Sequence, residues 1–349
     1  MEKYSKWRDA GTGIQPFLQP VPARGQQTLL GRTLGAAKNY VLGPVLSTTR
    51  LLALGVTAAI DTVLSTAGTL LLVVPRLHRI YTRCTRGVLA RLALLVLGFF
   101  AVDRKTVSLQ RGRRRGAGGG RRERGVLSGD LIVANHVSYV DVLWMTAWCT
   151  PVFVQLDNAT MHARRVTMWE ALRAPAHPPP ALLEASSAQP LSNITQEARL
   201  KHQGPVVVFI ENTTSNGRAL LQPLPVFEEL GNLDEKSTVH VWALKYPAKN
   251  FSPAYSVGSQ AAHLFWLCAQ VYNVLQVRML AEDEQPRVSD SALFAEDEPV
   301  DLDDAVREKL VALSRLRVTR LTALDKRDFL AFYHRRAKGY QGSRPSTTA

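Results

Sequence analysis

The chain has 349 residues, enough to bury one large core or two ordinary ones. Its 43 basic residues outweigh 29 acidic ones for a formal net charge of +14, which suits a polyanionic surface, nucleic acid or membrane, without choosing between them. Three widely spaced cysteines, Cys84, Cys149 and Cys268, form neither a disulfide framework nor a zinc spacing, which excludes small disulfide scaffolds and CxxC metal modules.

Residues 1–40 are polar and rich in Gly, Pro and Gln, and are expected to be a flexible tail. Their opening, "MEKYSKWRDAGTGIQPF", lacks the apolar core of a secretory signal, so a reducing environment is expected. Residues 41–104 are expected to form membrane-associated helices. The run "LLALGVTAAIDTVLSTAGTLLLVV", residues 51–74, carries one charge, Asp61, and is long enough for a hydrocarbon layer of about 30 Å. The competing reading is a buried helix of a soluble core. A second run, Gly87 to Val102, is interrupted by Arg91 and is short for a span. The connector holds Arg76, His78, Arg79, Arg83 and Arg86, and would lie on the disfavoured side if both runs crossed. One span, or two helices dipping into one leaflet with Arg91 snorkelling, fits better.

A basic Gly/Arg loop occupies 105–127, with "RGRRRGAGGGRRERG" at its centre. It can touch anionic headgroups, whereas the lack of interleaved aromatics to stack bases argues against RNA. From 128 to 280 the pattern becomes globular. "LIVAN" (131–135), "PVFVQL" (151–156), "PVVVFI" (205–210) and "VHVWALKY" (239–246) read as buried strands, with helices over Val140–Cys149 and Gly258–Leu275. That alternation predicts an α/β domain with a mostly parallel sheet. A proline-rich surface loop covers 174–190, an acidic linker 281–304, and a C-terminal helix ("DDAVREKLVALSRL") and tail fill 305–349.

Two strand ends carry chemistry. "LIVANHVSYVD" places His136 on a turn and Asp141 five residues later. On a continuous helix the two would diverge, so they can meet only if a helix begins between them. Ser138 and Asp141 have the spacing of a capping box, which supplies such a start and also a purely structural explanation for both residues. "VVVFIENTTSNGR" ends a second strand in Glu211, Asn212, Thr213, Thr214, Ser215, Asn216, Gly217 and Arg218. Turn and cap chemistry explains such residues too. In a parallel sheet, however, the carboxyl ends of strands gather at one crevice.

These blocks resemble those of the PlsC-type glycerolipid acyltransferases. "NHVSYVD" looks like the NHxSxxD form of the family's HX4D motif, "FIENTTSNGR" like its third block, and "VWALKYP", closing on Pro247, like its fourth, all in the family's order. The resemblance covers roughly residues 127–280 and is strongest to fungal enzymes that acylate lysophosphatidic acid. It implies a glycerol-3-phosphate acyltransferase-like domain behind membrane helices, on the cytosolic side of the endoplasmic reticulum and on lipid droplets. The implied reaction moves an acyl group from acyl-CoA, a co-substrate, to a lysophospholipid such as 1-acylglycerol 3-phosphate, with neither cofactor nor metal. His136 would be the general base and Asp141 its orienting carboxylate; Asn135, Ser138 and residues 211–218 would bind substrate. Ser138 as an acyl-enzyme nucleophile is the rival mechanism.

The chain departs from the pattern at Ile210, where proline is usual, and at Asn212, where glycine is usual. Asn tolerates a positive φ better than most residues. No second block is evident, and Arg164, Arg165 and Arg173 are the candidates for its arginine. Arg218 lies three residues beyond the third block's usual arginine. These departures motivate the alternative of an inactive acyltransferase-fold membrane protein serving vesicle or vacuolar sorting. His263 reads as a helix histidine on a packed face. No other histidine has a ligand-spaced partner.

Overall fold

The structure, a computed structural model, describes residues 4–20, 41–110, 125–184, 187–227, 238–247, 251–286 and 302–342. The centre of the arginine-rich loop, most of the acidic linker and the end of the C-terminal tail lie outside the described residues.

Seven strands form one sheet: β1 Val102–Val107, β2 Leu131–Ala134, β3 Val152–Leu156, β4 Ala163–Val166, β5 Val206–Phe209, β6 Val239–Lys245 and β7 Leu275–Leu280. Their order is β1-β7-β6-β2-β5-β3-β4. Four of the six pairings are parallel; β6/β7 and β3/β4 are antiparallel. The mostly parallel α/β sheet expected from the apolar runs is therefore present. Those runs are continuous, not alternating, because both faces of the sheet are covered. Ile132, Ala134, Val207, Trp242 and Leu244 point into one core, and Leu131, Val133, Val206, Val241 and Ala243 into the other.

The first core is closed by α1 (Gly43–Gly68), α2 (Pro75–Val96), α3 (Tyr139–Cys149), α4 (Met168–Arg173) and α6 (Gln260–Cys268); the second by α5 (Leu191–Leu200) and α7 (Leu302–Ser314). A last helix, α8, spans Ala323–Gly342. The helix expected over Gly258–Leu275 is shorter. It stops at Cys268, and Leu275 opens β7, because the β-branched and long apolar residues of 275–280 pair with β1 and β6.

The helices α1 and α2 form an antiparallel hairpin. Tyr81 donates to the Leu64 carbonyl, His78 Nδ1 contacts the Gly68 carbonyl, and Arg86 lies 3.7 Å from Asp61. Gly68 permits the approach, since a Cβ there would stand 2.7 Å from the Tyr81 ring. With its 3₁₀ extension to Val73, the first helix is long and apolar enough to cross a membrane, by length and composition.

The hairpin nevertheless lies along the domain. Ser47 donates to Phe265 O, Arg50 to Cys268 O, Arg79 to Cys149 O and Thr150 O, and Arg91 to Ala147 O. The second apolar run, expected at a membrane interface, is partly core: Ala90, Ala93, Leu94, Leu97 and Phe99 are buried. Lipid-like sequence and core-like sequence are the same to a hydropathy reading, and packing against α3 decides the matter. The outward residues Leu52, Val56, Val63, Leu70 and Val73 stay exposed.

The expected N-terminal tail needs correction over residues 4–20. Trp7 and Phe17 are buried against Leu221, Phe329 and Leu330, because two aromatic anchors outweigh a polar surround. The linker expected over 281–304 is ordered at both ends. Glu284 accepts from Leu109 N and Ser108 Oγ, and Asp303 from Phe227 N.

Candidate active site

The strands β2, β5 and β6 end side by side, and each delivers one polar residue to the same place. Asn135 staples β2 to β6 by donating to Leu244 O (3.0 Å) and accepting from Leu244 N (2.7 Å). The chain then turns at His136, and Ser138 caps α3, its Oγ accepting from Val140 N. Asp141 is the third residue of the helix. Its Oδ2 accepts from Val137 N (2.7 Å), Ser138 N (2.8 Å) and His136 Nδ1 (3.0 Å). The capping box and the His–Asp pair, alternatives on sequence, are made by one carboxylate at once. The cap is what aims the carboxylate at the imidazole.

Because Nδ1 faces an acceptor, it carries the proton in the neutral ring and Nε2 is left basic. The ring stacks on Phe209 at 4.0 Å and borders a cavity of about 320 Å³. Arg164, Arg173, His177 and Asn212 line the same cavity. Tyr246, one residue past β6, donates to Asp141 Oδ1. Burial and the Asp141 charge push its hydroxyl well above the usual tyrosine range, so it stays a donor.

Behind the imidazole, Glu211 is fully buried and accepts from His136 N (3.0 Å) and Leu221 N (2.8 Å). Lys326 of α8 is equally buried, donating to Thr214 O (2.6 Å) and Oγ1 (2.7 Å). Burial drives the Glu211 carboxyl up and the Lys326 ammonium down, and each charge opposes the other's shift. Opposite charges buried near each other relieve part of their desolvation cost.

Most of the third block therefore holds the loop and does not face the cavity. Ser215 N donates to His136 O, and Ser215 Oγ to Ala219 O. Asn216 grips the N-terminal segment at Gln15 O, Pro16 O and Leu18 O. A Cβ on Gly217, whose φ is +70°, would meet Val137 at 3.0 Å. Thr213 is buried and Arg218 exposed, and neither lines the cavity.

Of the expected substrate-binding residues, Asn212 alone reaches the cavity. Its φ is +50°, the conformation that makes glycine usual at this position. Its side chain clasps Leu156 in both directions (Leu156 N to Oδ1 3.2 Å, Nδ2 to Leu156 O 2.8 Å). Ser138 is fully buried away from the cavity, which leaves the acyl-enzyme mechanism without an accessible nucleophile. Among the second-block candidates, Arg164 and Arg173 reach the cavity, Arg164 lying 3.7 Å from Glu170 on its wall, whereas Arg165 points elsewhere and pairs with Glu197 at 2.8 Å.

A larger, apolar cavity of about 460 Å³ lies between α1, α2, α3 and α6, with Leu51, Leu54, Leu89, Leu143 and Leu264 among its walls. The helix α4 separates it from the His136 cavity, and Arg173 borders both. Sequence reasoning missed Phe209, Tyr246 and Lys326. The first two sit within recognised blocks at strand ends, where a search for aromatic neighbours of the motif would have found them. Lys326 leaves no signal, since only the packing of α8 brings it to Glu211.

No family model matches the chain. A Schizosaccharomyces pombe protein, provisionally named lysophosphatidic acid:oleoyl-CoA acyltransferase, is 25% identical over 335 residues, 95% of this chain and 97% of the relative. The Arabidopsis thaliana lysophospholipid acyltransferase LPEAT1 is 28% identical over 208 residues, 57% of this chain and 48% of its own length. The crystal structure of the 1-acyl-sn-glycerophosphate acyltransferase PlsC from Thermotoga maritima aligns with a TM-score of 0.40 and 14% identity, covering 77% of this chain and 95% of that one. The chain is thus similar to a fungal and a plant acyltransferase, and to the fungal protein over nearly the full length of both.

Proposed function

We propose that this protein is a membrane-bound lysophospholipid acyltransferase that moves an acyl group from acyl-CoA to the free hydroxyl of 1-acylglycerol 3-phosphate, giving phosphatidic acid and CoA. The observation that carries the reading is the His136–Asp141 pair: Nδ1 is bound to a buried carboxylate, and the ring borders a cavity lined by Arg164 and Arg173 as well as Glu170. His136 Nε2 takes the hydroxyl proton as the oxygen attacks the thioester carbonyl. Asp141 stabilises the imidazolium so formed. The tetrahedral intermediate collapses with cleavage of the carbon–sulfur bond, and the imidazolium returns its proton to the departing thiolate.

Arg164 and Arg173 offset the phosphate charge of an anionic acceptor at the cavity wall. The adjoining apolar cavity takes acyl chain. The hairpin lying along the domain, its apolar face outward, favours helices dipping into one leaflet over a span. The compartment, the cytosolic face of the endoplasmic reticulum with lipid droplets as a second site, follows from the family resemblance. Asn212, which with the unplaced second block motivated a non-catalytic reading, holds its positive φ with both ends of its amide bonded to Leu156.

The test is acyl transfer from labelled oleoyl-CoA by purified membranes offered a panel of lysophospholipids, with His136→Ala and Asp141→Asn alongside. Loss of about 10²–10⁴-fold in both variants supports the assignment, and the preferred acceptor identifies the reaction. Activity indifferent to His136 would overturn it.

A further inference from the structure

A separate opening of about 400 Å³ lies where α2, α3 and β1 meet, sharing no residue with the His136 cavity. Two arginines line it. Arg91, on the exposed side of α2, uses only its Nε among the described residues, donating to Ala147 O at 3.1 Å. The Arg104 guanidinium lies 4.0 Å from the centre of the Trp148 ring. Neither is neutralised by a carboxylate among the described residues. Asp103 alternates to the opposite face of β1, where it meets Lys105 at 3.3 Å and Gln276 at 3.4 Å. Two uncompensated guanidinium groups at one cavity, one of them on an indole, make a receptor for an anion with an organic body.

The rim says which anion. Phe100 and Leu95 border the opening and are exposed, and Leu92, Val88, Ile80 and Leu77 continue an exposed apolar stripe along α2 at helical spacing. A free phosphate or nucleotide has no use for that stripe, whereas the acyl chains of a lipid do. The strand β1 also begins beside β7 at the sheet edge where β6 ends, Val102 in register with Leu275 and Lys245 with Gln276. That is the edge carrying His136. We propose that this opening binds the phosphate of an anionic glycerophospholipid in the supporting membrane, and so seats the catalytic edge against the bilayer. The proposal rests on the membrane-bound reading above.

Flotation of the full-length protein with vesicles tests it, using phosphatidylcholine alone or with one tenth phosphatidic acid. Each basic residue at an anionic surface is worth about fivefold in partitioning, so Arg91→Gln/Arg104→Gln should lose about 30-fold on the anionic vesicles and little on the neutral ones. Arg104→Lys, which keeps the charge and loses the stacking, should fall between. An unaltered melting curve shows that the double variant folds. Equal partitioning of double variant and wild type on anionic vesicles overturns the proposal, as does an equal loss on both vesicle types. Release of the wild type by adenosine 3′,5′-bisphosphate, but not by sulfate at matched ionic strength, would reassign the site to a soluble phosphate ligand. Acyl transfer in mixed micelles, where no bilayer is present, reports separately on the proposed function, so that either idea can fail alone.

Discussion

Replacing His263 with glutamine isolates an acid sensitivity built into the support of the candidate active site. His263 lies on α6 with Nε2 donating to Ser252 O (3.1 Å) and Nδ1 accepting from the Tyr139 hydroxyl (2.9 Å). Tyr139 opens the helix that carries Asp141. Burial holds the His263 imidazole down to about 4, from an ordinary 6.5. The unfolded chain therefore binds a proton near pH 6.5 that the folded protein refuses until about pH 4, so the stability this site provides is complete above 6.5 and lost as the pH falls through that window. At about 1.4 kcal/mol per pH unit the loss amounts to about 3 kcal/mol. Glutamine can keep both hydrogen bonds, Oε1 accepting from Tyr139 and Nε2 donating to Ser252, but does not titrate. Urea unfolding in detergent at pH 7 and pH 4 should show the wild type losing about 3 kcal/mol more than His263→Gln. Equal losses in the two proteins would refute the reasoning.

Tyr246→Phe removes one donor from Asp141, an interaction with a charged acceptor worth about 1.5–3 kcal/mol; kcat should fall by about 10–100-fold with KM little changed, and steady-state kinetics with an unaffected kcat would make the hydroxyl a packing feature only. Lys326→Met leaves Glu211 buried without its counter-charge and should cost about 3–5 kcal/mol. Glu211→Gln in that background should recover most of the loss in thermal denaturation. Arg164→Ala should raise KM for an anionic acceptor about tenfold, the scale of one charged hydrogen bond, while a zwitterionic acceptor in the same assay changes less.

The site was legible in the sequence to the extent that it is local. His136, Ser138 and Asp141 lie within six residues, and the cap that starts α3 also brings the pair together, so one spacing predicted both. Four strands announced themselves as apolar runs. The strands β1 and β4 did not, because "VDRKTV" and "ARRV" are polar sequences at the two edges of the sheet, where one side lacks a neighbour. The third block misled for the opposite reason. Its hydroxyl and amide groups look like ligand-binding chemistry, yet the buried Asn216 and Thr214 meet partners from residues 15–18 and 326 respectively. Such contacts, about 200 and 100 residues away in the chain, leave no local pattern to read.

The clasp between the two ends of the described chain has a consequence for synthesis. Emerging from the ribosome, the chain presents its apolar hairpin long before α8. Lys326 and Phe329, which brace the loop behind His136, come last among the parts of the site. On the proposed function, attachment to a membrane can thus begin on a nascent chain whose His136 still lacks its backing. On that same reading, an enzyme assembled in that order would meet its insoluble acceptor already in place and acquire its chemistry there.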